Sequence, residues 1–241
     1  MNNDRGVIIA KRSMSLSRSY PIIGVAMGLL GIIFTGLGGV IGSLPTNGVP
    51  VNSTGIANVN FSAVVPLLAV PLQALSALIF STPVLLLFVY DKNNGVLEYF
   101  LSLGMNQRDV YQQYLKAALL LSVAVVTFDA VVDLATGLFE GTPGLALEIS
   151  ALVVVIALPA VSFGTLLMMS FGSLQKQRVG SNQPLGMAIG VFTVVPAYLL
   201  PLVLPSFAFV SDLILAVAIV GLSMLTFSLS SRLINREKLL P

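Results

Sequence analysis

The sequence predicts an all-α integral membrane protein, with six transmembrane helices, an amphipathic helix at the N-terminus and a short helix between spans two and three. Three observations carry this. The 241 residues are 56% hydrophobic and only 9% charged, with a mean hydropathy of +0.96, against roughly 25% charged residues in soluble domains. The apolar residues fall in six blocks long enough for the ~20-residue helix that a bilayer of about 30 Å requires. All 12 Lys and Arg fall on one side of a six-span arrangement.

The blocks run over residues 20–41, 63–90, 117–138, 149–171, 185–204 and 207–229. Helices satisfy their own backbone polar groups in lipid, and the ten-residue alternation of a membrane β-barrel is absent. No polar stretch is large enough for a soluble domain, so residues 1–241 are expected to form one transmembrane domain. Arg5, Lys11, Arg12 and Arg18 precede the first block; Lys92, Arg108 and Lys116 separate the second and third. Lys176 and Arg178 separate the fourth and fifth, and Arg232, Arg236 and Lys238 follow the sixth. By the positive-inside rule both termini are expected to be cytoplasmic. The net charge of +2 then reports topology and does not point to nucleic acid.

The first block is too long for a signal-peptide core of about 7–15 residues, so a retained span is expected. Before it, RGVIIAKRSMSLSRSY mixes Val7, Ile8, Ile9, Met14 and Leu16 with cations. Such a segment can lie along the interface as an amphipathic helix or remain a basic leader. The Gly/Pro/Asn-rich stretch 43–60 is expected outside, where Asn52-Ser53-Thr54 is a weak glycosylation sequon.

Several chemistries are excluded. With 0 Cys and 0 His, the chain has no thiolate or imidazole metal ligands and no Cys- or His-based catalytic group. It also lacks the Gly-x-x-x-x-Gly-Lys-Ser/Thr loop that cradles ATP phosphates. Intrinsic catalysis is not expected.

The most ordered polar interruption is DKNNGVLEYFLSLGMNQRDVYQQYLK, residues 91–116. Val96, Leu97, Phe100, Leu101 and Leu103 recur at helical spacing. Gly104 is suited to end that helix in the left-handed conformation. Asn106 with Asp109 three positions on forms a near capping box, from which a second helix would enter span three.

In these residues the chain resembles the ABC-2 type permeases, the membrane subunits of ATP-binding-cassette exporters. Their segment after span two carries an acid and a base, Gly-x-Leu-Glu, Leu-Ser-x-Pro, an Arg and a Lys opening span three. Asp91-Lys92, Gly95-Val96-Leu97-Glu98, Leu101-Ser102-Leu103-Gly104, Arg108 and Lys116 stand in that order. Gly104 departs from the usual proline. The resemblance covers about 26 residues in motif and the whole chain in architecture. It implies a plasma-membrane permease that pairs with a second copy or paralogue and exports a substrate the sequence does not identify. ATP would be bound by a separate ABC ATPase subunit, docked on a coupling helix made of Gly95, Leu97, Glu98, Phe100, Leu101, Gly104 and Arg108. Glu98 would be its polar anchor, and Leu97, Phe100 and Leu101 the apolar face that transmits force. No cofactor of its own is implied; membrane lipids are its surroundings. The family also folds its last outer connection back into the membrane, and Pro196, Pro201 and Pro205 fit either such a hairpin or a kinked fifth span.

Span three carries the other anomaly. Asp129 and Asp133 are four apart and share a helix face with Ser122 and Thr136. A carboxylate in the hydrocarbon region is costly unless paired, protonated or hydrated. The two mark a translocation path, or else the span ends early and leaves Asp133 at the interface with Glu140. They also sustain a rival reading, an ATP-independent secondary transporter or channel. Gly24 with Gly28, Gly38 with Gly42 and Gly186 with Gly190 form Gly-x-x-x-Gly pairs that serve packing within the chain or between copies.

Overall fold

The computed structural model describes residues 4–16, 19–43 and 69–171, and scattered positions from 210 to 228. Six helices are described: α1 (Asp4–Leu16), α2 (Ser19–Ser43), α3 (Ala69–Asn93), α4 (Val96–Ser102), α5 (Gln107–Phe139) and α6 (Pro143–Phe171). No strand occurs among the described residues. Three helices, α3, α5 and α6, are long and apolar enough to cross a membrane, as expected of a membrane protein. The segments Arg5–Ser15 and Ser19–Phe34 pass the same test only as a pair, bent by 93°. Expected span five, the outer loop with Asn52, the proline-rich connection and Gly186 with Gly190 lie outside the described residues. The described positions from Val210 to Ser228, within expected span six, are helical.

The helices pack on side chains of two sizes. Toward the α4 end, Leu87, Phe88, Leu97, Val110, Tyr114 and Val161 form one core with alanines of α1 and α5. Toward the other end, Val70, Ile149, Val153 and Ile156 pack among Ala69, Ala74, Ala77 and Ala157. Small residues let apolar helices approach where lipid gives no hydrophobic drive to associate. The opposite faces of α5 and α6 expose Leu120, Val123, Phe128, Val131, Val154 and Val155, a surface suited to lipid.

Pro83 and Pro159 sit inside α3 and α6 without ending either helix. Just before Pro83, the hydroxyls of Ser81 and Thr82 donate to the Leu78 carbonyl at 2.8 and 3.0 Å, so neither is left unpaired in the apolar span.

The turn joining α5 to α6 is tight. Gly141 takes φ +73°, and the Thr142 amide reaches back to the Gly137 carbonyl at 2.8 Å. Pro143, which needs no amide partner, opens α6. A Cβ on Gly137 would meet the Ala146 Cβ at 2.6 Å and the Thr142 carbonyl at 3.2 Å. Neither atom can swing aside. Gly137→Val is therefore expected to destabilise the protein by about 1–3 kcal/mol, the cost of overpacking. Gly144→Ala, where a Cβ meets nothing within 4 Å, is the control and should unfold like the wild type in detergent. Equal melting of the two variants would refute the tight hairpin.

Candidate functional site: a short helix and a buried carboxylate pair on one long helix

α4 is a seven-residue helix held at both ends by glycine. Gly95 has φ +72° and Gly104 φ +80°, conformations that cost other residues more than glycine. At the C-terminal end the Gly104 amide donates to the Leu101 carbonyl at 3.1 Å and the Met105 amide to the Phe100 carbonyl at 3.2 Å. That pair is a Schellman motif. Proline, fixed near φ −65°, cannot take the conformation of Gly104. Glycine therefore does not stand in for the proline of the ABC-2 pattern with the geometry kept; it ends this helix by its own means.

Asn106 occupies the N-cap of α5 with extended geometry, but its side chain makes no capping hydrogen bond. The expected capping box is thus not formed; the Asn106 carbonyl instead accepts from the amides of Asp109 and Val110. As expected, α5 runs from this point into the span, over 33 residues or roughly 50 Å at 1.5 Å per residue.

The residues of α4 divide by face. Leu97 is 0% exposed and belongs to the bundle core, so it cannot itself present an apolar face to a partner. Phe100 and Leu101 are half-buried and pack on the same core. Glu98 and Arg108 are exposed, and the outward apolar groups are Tyr99 and Leu103, 62% and 63% exposed. Leu97 roots the helix in the bundle, and Tyr99 and Leu103 are left free to meet other molecules.

Asp91, expected only as part of a motif, proves to be an anchor. It is 2% exposed at the end of α3. Its carboxylate accepts from the Tyr114 hydroxyl of α5 at 2.6 Å and pairs with the Arg12 guanidinium of α1 at 3.0 Å. Tyr114 in turn sets its ring edge-to-face on Phe88, centroids 5.2 Å apart. Three helices meet at this one carboxylate.

Farther along α5, Asp129 and Asp133 are both buried. Helix α5 continues beyond Asp133 to Phe139, and Glu140 is exposed at that terminus. Asp133 Oδ2 accepts from Gln73 Nε2 of α3 at 2.7 Å, and Asp129 Oδ2 from Ser76 Oγ at 3.2 Å. Gln73 and Ser76 are three apart, so one face of α3 presents both to the two acids. The third side is α2. A Cβ at Gly28 would lie 2.7 Å from Asp129 Oδ1, and one at Gly31 would lie 2.7 Å from Gln73 Cγ. Gly24 likewise approaches Phe80 and the Ser76 carbonyl. Gly24 and Gly28 therefore serve packing within the chain.

Ser122 and Thr136, expected on the acidic face, are not partners of the acids' carboxylates: Ser122 donates to the Ala77 and Ala118 carbonyls, and Thr136 to backbone carbonyls of its own helix. Gln73 and Ser76 escaped sequence reading. Their signal, two polar residues one turn apart inside an apolar span, was present in LQALS. What the arrangement can do is hold two carboxylates in a low-dielectric interior through hydrogen bonds from neutral donors.

These features define the class: an all-helical membrane protein with a short, glycine-bounded helix beside its bundle and a buried acidic pair within it. Set against protein-family models, curated proteins and solved structures, the chain matches none.

Proposed function

We propose that the chain is the transmembrane permease subunit of an ATP-driven exporter, with six spans and cytoplasmic termini in the plasma membrane. It would pair with a second copy or paralogue and dock a separate ABC ATPase at α4. The observation that carries this reading is the joint between α4 and α5. Leu97 fixes α4 to the bundle, the Schellman turn at Gly104 links it to α5 without slack, and α5 then runs unbroken to Asp129 and Asp133. A push on the outer face of α4 has a rigid lever into the membrane.

The docking face is drawn from the exposed Tyr99 and Leu103 with Glu98 as polar anchor, in place of Leu97. Leu103→Asp and Glu98→Ala change only exposed side chains, so both variants should insert and melt like the wild type. Each is expected to lose the ATPase on purification from native membranes. Burial of a Leu contributes about 1.5–3 kcal/mol, so loss of Leu103 alone should weaken the complex by roughly ten- to a hundredfold. Undiminished co-purification and export in both variants would end this reading.

The buried Gln73–Asp133 and Ser76–Asp129 pairs favour a second reading, an ion- or proton-linked transporter with no ATPase. The two part under energy poisoning: an ATP-driven exporter continues when a protonophore collapses the proton gradient while ATP is maintained, and a proton-linked one stops.

A further inference from the structure

Between α1, α4 and the first turns of α5 lies a half-open cavity of about 390 Å³, bordered by the Asp91 anchor and by Leu103. Its walls are mostly apolar, including Ile9 and Phe100, and Arg5 and Arg12 border it. Arg12 is neutralised by Asp91. Arg5 has no acidic partner among the described residues: its hydrogen bond goes to Met105 Sδ at 3.5 Å, a weak acceptor for a guanidinium. The site therefore carries one net positive charge over an apolar floor.

An anionic group would complement that charge, and an alkyl chain the apolar floor. The surroundings say where such a ligand would come from. Val7 and Ile8 are exposed apolar groups of α1, Ile8 at the cavity itself, on a helix turned 93° from the segment Ser19–Phe34. That places α1 along the membrane surface wherever α2 enters the bilayer.

We infer that this cavity binds one anionic phospholipid. The phosphate pairs with Arg5, and the first methylenes lie on Ile9 and Phe100. The lipid wedges between α1 and α4 and so sets the position of α4. Leu103 of the proposed docking face also lines the cavity, but the lipid needs only a membrane to bind, so the site stands whether or not an ATPase docks on α4.

The full-length protein in nanodiscs of phosphatidylcholine, with or without phosphatidylglycerol, tests this by native mass spectrometry of retained lipid. Wild type is expected to keep one phosphatidylglycerol per chain in preference to phosphatidylcholine. Arg5→Gln, at an exposed position, should lower that preference about fivefold, the contribution of one basic residue against an anionic lipid. Thermal unfolding of this variant reports that the fold is intact. Equal retention of the two lipids by wild type, or an unchanged preference in Arg5→Gln, overturns the proposal. A benzophenone amino acid in place of Phe100 gives an independent reading in native membranes: a crosslink to phospholipid supports the site, and one to a protein overturns it in favour of a protein occupant.

Discussion

Asp129→Asn is expected to leave the protein as stable as the wild type or more so and, if the chain is the exporter subunit proposed above, to cut export by about tenfold or more. The structure separates the two effects. Asparagine has the shape of aspartate, so the close approach of Gly28 is undisturbed, and its amide oxygen can still accept from Ser76 Oγ. Were that bond lost, Ser76 would keep the Gln73 carbonyl as acceptor at 2.9 Å. Little stabilising energy therefore depends on the carboxylate itself. Removing a buried acid also removes its desolvation cost, so a gain of up to about 1–4 kcal/mol can follow, as when buried ionic groups give way to neutral ones. A charged contact made on the transport path is worth about 1.5–3 kcal/mol, or roughly ten- to a hundredfold in rate. Asp133→Asn should behave alike, since Gln73 Nε2 keeps an oxygen to donate to. Thermal unfolding in detergent and export in cells lacking the native copy measure the two effects separately. A variant that unfolds early yet exports normally would make the acids structural and remove them from any path.

Much of this arrangement was legible in the sequence, and the reasons for the remainder are physical. The three described spanning helices follow from block length, because a bilayer selects for continuous apolar runs. The break at Gly104 was readable because the left-handed conformation after a helix has a strong residue preference. Asp129 and Asp133 were conspicuous because charge is rare in lipid. Their partners were not, since Gln73 and Ser76 are ordinary residues until another helix is placed beside them. The inward turn of Leu97 was also hidden. Helical spacing groups Leu97 with Phe100 and Leu101 on one stripe, but spacing alone does not say whether the stripe meets the same chain or a partner. The capping box failed for a related reason: Asn106 had the right residue type and position, yet only backbone atoms make the cap.

The anchor at Asp91 depends on contacts that no local pattern reveals, since Arg12 lies 79 residues away in the chain. Its removal is the sharpest test of how α1 is held. Arg12→Ala would leave the Asp91 carboxylate buried with the Tyr114 hydroxyl alone. Breaking a fully buried pair from one side costs about 3–5 kcal/mol; the cost here should be smaller, because Arg12 is 47% exposed and solvent screens its charge. Asp91→Ala strands the other side, where the buried Tyr114 hydroxyl loses its acceptor at about 1–3 kcal/mol. Tyr114→Phe, which keeps the ring on Phe88 and the Arg12 pair, should cost only about 0.5–1.5 kcal/mol. The combination Arg12→Ala with Asp91→Asn removes both charges together and is expected to be more stable than Arg12→Ala alone, a coupling that independent sites do not show. Trypsin gives a local measure, because Lys11 and Arg12 are themselves cleavage points in α1. Asp91→Ala should be cut after Lys11 faster than wild type at temperatures where α3 and α5 remain folded. If cutting is no faster, and the double change is as unstable as the sum of its parts, then α1 is held by its apolar contacts at Gly6 and Ala10, and the Arg12–Asp91–Tyr114 contact contributes nothing to its position.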